Sequence, residues 1–212
     1  KFNHTVLVSK KELSLLQKKY RKKIISISNG IKTNDNIYKK SNTKENIIFF
    51  GNINSFANRE ACIKFIKKVF IHLPAELNLK FKIVGNISSK LKLKFQKYKN
   101  VIVTGKIENL KFASKNSLCG ICNVEIATGI QNKIFEYMSL GIPSIVSYIS
   151  YDKIFGKKNN NLLIYNNSID LRKKIILLKK NKKLSKKISD NSYKHSKFFN
   201  WNKMLNKYSK II

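Results

Sequence analysis

Short apolar runs alternate with segments of helical periodicity along most of the chain. Residues 24–28 (IISIS) have strand character and end at Asn29-Gly30, a turn signal. From residue 47 the alternation becomes regular. Strands are predicted at 47–50 (IIFF), 79–84 (LKFKIV), 101–104 (VIVT), 117–124, 143–147 (PSIVS) and 162–165. A helix is predicted over 60–72, where Ala61, Phe65, Val69 and His72 recur at helical spacing and Ile63, Ile66 and Phe70 widen the stripe. Residues 88–98 form a short basic helix, and 109–114 a helical turn or two. The span 130–140 is an amphipathic helix with Ile134, Phe135, Met138 and Leu140 inward, stopped by Gly141. Helices fill 168–179, 181–196 and roughly 200–210. Residues 32–46, polar and rich in Asn, Lys and Thr, form the best linker, with the main domain beginning near Asn46.

Nearly continuous apolar strands alternating with helices indicate an α/β fold: a Rossmann-like parallel sheet with helices on both faces. Three successive strands end in glycine, at Gly51, Gly85 and Gly105. Ligands in such sheets bind outside the carboxyl ends of the strands. Glycine there admits a close ligand approach, or it only makes the strand-to-helix turn.

Composition changes this picture in one respect. The 212 residues carry 44 Lys plus Arg against 11 Asp plus Glu, a formal charge of +33. A field of that sign favours anionic partners: nucleic acid, anionic lipid or phosphorylated small molecules. Lys, Asn and Ile share A/T-rich codons, so part of the excess has a compositional source, but the shortage of acids does not. No apolar run reaches the ~18 residues of a membrane span. Nothing at the start resembles a signal peptide. Three cysteines give no disulfide framework and fit a reducing, cytoplasmic setting. The chain starts at Lys1, as a piece of a longer protein would.

The informative stretch is 125–147 (EIATGIQNKIFEYMSLGIPSIVS). Thr128-Gly129 follows a strand, so the next helix opens at the carboxyl edge of the sheet. Its free N–H groups and positive dipole end suit a phosphate. Lys133 in the first turn opposes the dipole, which makes sense if an anion sits there too. Glu136, about 5 Å further along the axis, can accept hydrogen bonds from sugar hydroxyls. The alternative is an ordinary i,i+3 surface pair between Lys133 and Glu136.

Gly129-Ile130-Gln131-Asn132-Lys133, then Glu136, Met138, Gly141 and Pro143, resembles the nucleotide-sugar motif of GT-B glycosyltransferases of the family 4 group, in particular sugar transferases of polysaccharide biosynthesis. Val8-Ser9, Asn29-Gly30-Ile31, Phe50-Gly51 with Asn58, Ile83-Val84-Gly85, Val103-Thr104-Gly105 and Phe199-Asn200-Trp201 extend the resemblance over the whole chain. It implies residues 1–30 as the end of an N-terminal domain and the inter-domain linker. It implies 31–196 as the nucleotide-sugar-binding domain and 197–212 as a closing helix. It further implies that the loop at 129–133 holds the donor diphosphate and that Glu136 binds the ribose. The position eight residues upstream, often a second Glu touching the sugar, is Thr128. The Arg and Lys that many members place after the first strand are Asn52 and Asn58 here, with Arg59 adjacent. The resemblance places the base against Lys106-Ile107. The donor, a nucleotide diphosphate sugar, is a substrate; no cofactor or metal is required. The resemblance also implies a retaining transfer to a glycan or lipid-linked acceptor, with a fragment that lacks its first domain binding donor without turnover.

Other signals carry less. Cys119 and Cys122 lie in a strand and point to opposite faces, Cys62 is remote, and no closed zinc site follows. His4, His72 and His195 show no metal spacing. The Lys-rich segment 172–187 (RKKIILLKKNKKLSKK) is a solvated face or a contact with the anionic inner face of a cell membrane, where each Lys contributes roughly 1 kcal/mol. Ile175, Ile176, Leu177 and Leu178 serve such a contact and sheet packing equally. Two rival functions remain: a basic nucleic-acid-binding module, disfavoured by the dispersed charge and the absence of an aromatic-basic motif, and a noncatalytic half-domain binding a partner chain.

Overall fold

In a computed structural model the structure describes residues 5–9, 12–13, 16–21, 24–32, 43–126 and 129–211. β1 (Thr5–Leu7), α1 (Lys18–Arg21) and β2 (Ile24–Ser26) precede the main body. β1 and β2 pair in parallel as a separate two-stranded sheet. Residues 33–42 of the expected linker lie outside the described residues.

The main sheet holds β3 (Asn46–Phe50), β4 (Lys80–Val84), β5 (Val101–Gly105), β6 (Ser117–Cys122), β7 (Ser144–Ser147) and β8 (Leu163–Tyr165). All pairings are parallel, in the order β5-β4-β3-β6-β7-β8. The helices are α2 (Phe56–Lys68), α3 (Ser89–Gln96), α4 (Leu110–Ala113), α5 (Asn132–Ser139), α6 (Ser168–Lys180), α7 (Lys182–Ser196) and α8 (Trp201–Tyr208).

Consecutive residues of β3, from Ile47 to Phe50, are all buried, which requires cover on both faces of the sheet. Cys119 and Cys122 are buried for the same reason, and Cys62 joins them from α2; all three are free thiols. Burial pushes the Cys119 thiol up to about 12 and the Cys62 and Cys122 thiols up as well, so all three stay protonated. Among the described residues no group of His, Cys, Asp and Glu could hold a metal. His4 lies outside them, His72 is exposed, and His195 Nε2 lies 2.8 Å from the Ile154 carbonyl.

The expected boundaries shift most at α2 and α5. α2 begins at Phe56, not 60, and ends at Lys68. Val69 leaves helical geometry (φ −129°, ψ −60°), so His72 falls in a separate 3₁₀ turn, off the stripe. α5 begins at Asn132, not 130, because Gly129 is left-handed (φ 68°) and Gln131 is extended (ψ 93°). In α6 the apolar side is spent on the sheet: Ile175 and Leu178 are buried, with Leu177 left exposed.

Candidate functional site

Chain progression reverses between β3 and β6: β4 and β5 build outward from β3 on one side, and β7 and β8 from β6 on the other. A crevice opens outside the carboxyl ends at such a switch point. The strand ends are drawn tightly together there. Gly51 N donates to the Val84 carbonyl at 3.1 Å, Gly85 N to the Gly105 carbonyl at 3.0 Å, and Ile53 N to the Asn86 carbonyl at 2.7 Å. Gly85 (φ 139°) sits so close that a Cβ would collide with the Gly51 carbonyl oxygen. Glycine at 85 is therefore required by close backbone approach.

Lys133 enters this crevice from α5. Its residue is only 8% exposed. The ammonium lies 3.9 Å from the centroid of the Phe49 ring and donates to Asn58 Oδ1 at 2.6 Å. Asn58, at the start of α2, is held in turn by Nδ2 donating to the Asn52 carbonyl at 3.0 Å. Among the described residues no carboxylate pairs with Lys133. Burial lowers its pKa below the ordinary lysine value, opposed in part by the Glu136 carboxylate. The surface-pair alternative is thus corrected: Lys133 is a buried cation bonded to an amide and an aromatic face, not a solvated partner of Glu136. A buried charge is costly, and the π-face, the amide and the half-buried Glu136 carboxylate one turn away offset only part of that cost, since the lysine pKa stays lowered.

Glu136, one turn on, is half-buried, and burial raises its carboxyl pKa while Lys133 lowers it. It opens onto a cavity of about 720 Å³ that Asn132, Ser139 and Leu140 of α5 also line. Residues 108–111, 30–32 and Trp201 complete its lining. Asn29 Nδ2 donates to Asn132 Oδ1 at 2.9 Å, joining the segment after β2 to the opening of α5.

Of the residues singled out in the sequence, Gly51, Asn52, Asn58 and Lys133 converge on one crevice, and Asn132 and Glu136 on the adjoining cavity. Gly129, Ile130 and Gln131 form the lead-in loop rather than the first helical turn; Ile130 is half-buried against the core. Arg59 follows Asn58 on α2, its guanidinium 5.6 Å from the Phe56 ring centroid. Lys106 is exposed, and Ile107 packs beside Leu110 on the small cluster around Tyr137; both precede the cavity lining, which starts at Glu108. Thr128 lies outside the described residues.

Sequence reasoning gave no site role to Tyr137, to Trp201 or to the 108–111 lining. Tyr137 is fully buried beneath the site. Its hydroxyl accepts from Phe50 N at 3.0 Å and lies 3.1 Å from the Ile121 carbonyl and 3.3 Å from that of Ile48. Its ring fills the space that a Cβ on Gly120 would occupy. A buried Tyr with an obligatory polar partner and a facing Gly were the available signals.

Residues 44–181 match the family model described as glycosyl transferases group 1. No curated protein sequence matches the chain. Among solved structures, a variant of TarM from S. aureus in complex with UDP and other ligands is 18% identical, with a TM-score of 0.78 over 99% of this chain and 44% of its own. HepE from Anabaena in complex with UDP-glucose is 13% identical, with a TM-score of 0.79 over 98% of this chain and 63% of its own. A glycosyltransferase from Rickettsia africae is 18% identical, with a TM-score of 0.77 over 99% of this chain and 62% of its own. At these identities the likeness is one of fold, and this chain spans roughly half of the length of such proteins.

Proposed function

The chain belongs to the glycosyl transferases group 1 family, and we propose that it forms the donor-binding part of an enzyme transferring a sugar from a nucleotide diphosphate sugar to a glycan or lipid-linked acceptor, with retention of anomeric configuration and without a metal. Residues 1–30 would then belong to the end of a preceding domain and its linker, 31–196 to the donor domain and 197–212 to the closing helix.

The observation that carries this reading is Lys133. A buried ammonium carried by the first turn of α5, at the switch point of the sheet, suits the donor diphosphate. Charge grows on that diphosphate as the sugar leaves, and fixed donors aimed at it stabilise the transition state without reorganisation. Glu136, when ionised, accepts hydrogen bonds only, which suits ribose hydroxyls. Gly129 gives the loop its left-handed turn, and Asn52, Asn58 and Arg59 bound the phosphate side. The cavity beyond Glu136 has room for the base. UDP is the first donor nucleotide to examine, because TarM and HepE were both solved with uridine nucleotides.

The test is the melting temperature of the chain with UDP, GDP and ADP and their sugars, with Glu136→Ala alongside. A ligand that binds only the native state raises it by mass action. One nucleotide series should stabilise the wild type and fail to stabilise the variant. No shift with any of them would overturn the proposal for this chain.

A further inference from the structure

The cavity beyond Glu136 has one wall to which the donor reading gives no role. Trp201, the sole tryptophan of the chain, opens α8 and is 50% exposed on the lining of this cavity. Its position is held from several sides. Asn200 caps α8, its Oδ1 accepting from Lys203 N at 2.8 Å. Ile31 N donates to the Phe199 carbonyl at 2.7 Å, and Ile31 and Asn200 form a parallel bridge. These contacts seat the indole directly on Gly30: a Cβ at residue 30 would overlap ring atoms Cδ2 and Cε3. Gly30 is buried, so the ring is backed by packed chain on that side, and the half-exposed residue is part of the cavity lining.

The same cavity presents Leu110 and Leu140 as apolar lining and Glu108 and Asn109 as polar lining. A nucleobase has an apolar π-face and a polar edge, and this lining offers surfaces for both. A rigid, half-exposed indole is a stacking platform for such a ring. We propose that Trp201 is the platform on which the donor's nucleobase packs, with the segment Gly30–Ile31 as its support. This inference rests on the donor-site reading and deepens it by placing the base at the Trp201 end of the cavity.

Because the chain has one tryptophan, its emission reports this contact alone. Titration with UDP should change the emission of the wild type saturably. Trp201→Leu should bind UDP about tenfold more weakly or worse, and Trp201→Phe should retain most of the affinity. The rise in melting temperature produced by inorganic pyrophosphate should be the same in Trp201→Leu as in the wild type, which a purely structural role would not give. If UDP stabilises the wild type through Glu136 but leaves the emission unchanged and binds Trp201→Leu equally well, this inference falls and the donor reading stands. Equal losses for UDP and pyrophosphate would reduce Trp201 to a packing residue and overturn it also. If Trp201→Leu does not fold, the wild-type emission and the Trp201→Phe affinity decide. If no nucleotide binds the wild type, both fall together.

Discussion

Lys133 is positioned at a cost that its packing does not recover. Its ammonium has an amide oxygen and a π-face for partners and only 8% exposure. An apolar side chain of similar length keeps the packing and removes the cost of desolvating the ammonium. Ligand-free Lys133→Met is therefore expected to melt at the same or a higher temperature than the wild type. The sign of the pH effect follows from burial lowering the pKa. The folded chain gives up this proton before the unfolded chain does, so the cost fades as pH climbs towards the ordinary lysine value. The advantage of Lys133→Met should shrink over that alkaline window. Glu136 works in the opposite window, because burial raises its pKa. Its folded form is penalised once pH rises above the ordinary carboxylate value and through the raised one. Glu136→Gln should then melt above the wild type at neutral pH and level with it near the ordinary carboxylate value, in thermal scans at the two pH values. At this scale the motif around Lys133 and Glu136 was visible along the chain. Its partner Asn58 was visible only through the family resemblance, since that contact joins residues 75 apart.

The elements around the site are fixed to one another by a few buried contacts. The Tyr137 hydroxyl links α5 to β3 and β6 at once, through Phe50 N and the Ile121 and Ile48 carbonyls. Tyr137→Phe keeps the ring against Gly120 but leaves buried backbone groups unpaired, at about 1–3 kcal/mol. Chemical denaturation should show that loss with an unchanged m-value. Gly85→Ala should be worse, since the new Cβ meets backbone rather than a movable side chain; loss of soluble folded protein is the expected outcome. Most strands of the main sheet were legible as nearly continuous apolar runs, and β4 as an alternation of Lys with Phe81 and Ile83. Their order was not, because pairing is a contact between distant segments and leaves no local pattern. β1 was missed because Val6–Val8 is too short a run to separate from a buried turn. The start of α5 was misplaced because Ile130 fits the helical stripe, while the left-handed Gly129 and extended Gln131 delay it.

Over the whole molecule the formal charge of +33 is spread along the chain, and the Lys-rich helices α6 and α7 spend their apolar sides on packing. Such an excess repels itself, so melting temperature should rise with salt between about 0.05 and 0.5 M as screening shortens the Debye length. UDP affinity should fall less than about tenfold over that range, because one diphosphate is neutralised. A binder contacting six to ten nucleic-acid phosphates would lose roughly a thousandfold or more on a comparable rise. No described helix is long and apolar enough to cross a membrane. The central claim is that Lys133 is buried in order to hold the donor diphosphate, and its most direct test is calorimetric titration of UDP-glucose into the wild type and Lys133→Met. A hydrogen bond to a charged group contributes about 1.5–3 kcal/mol, so the variant is expected to bind ten- to a hundredfold more weakly while remaining as stable. Equal affinity in the two proteins, or no binding by the wild type, would contradict it.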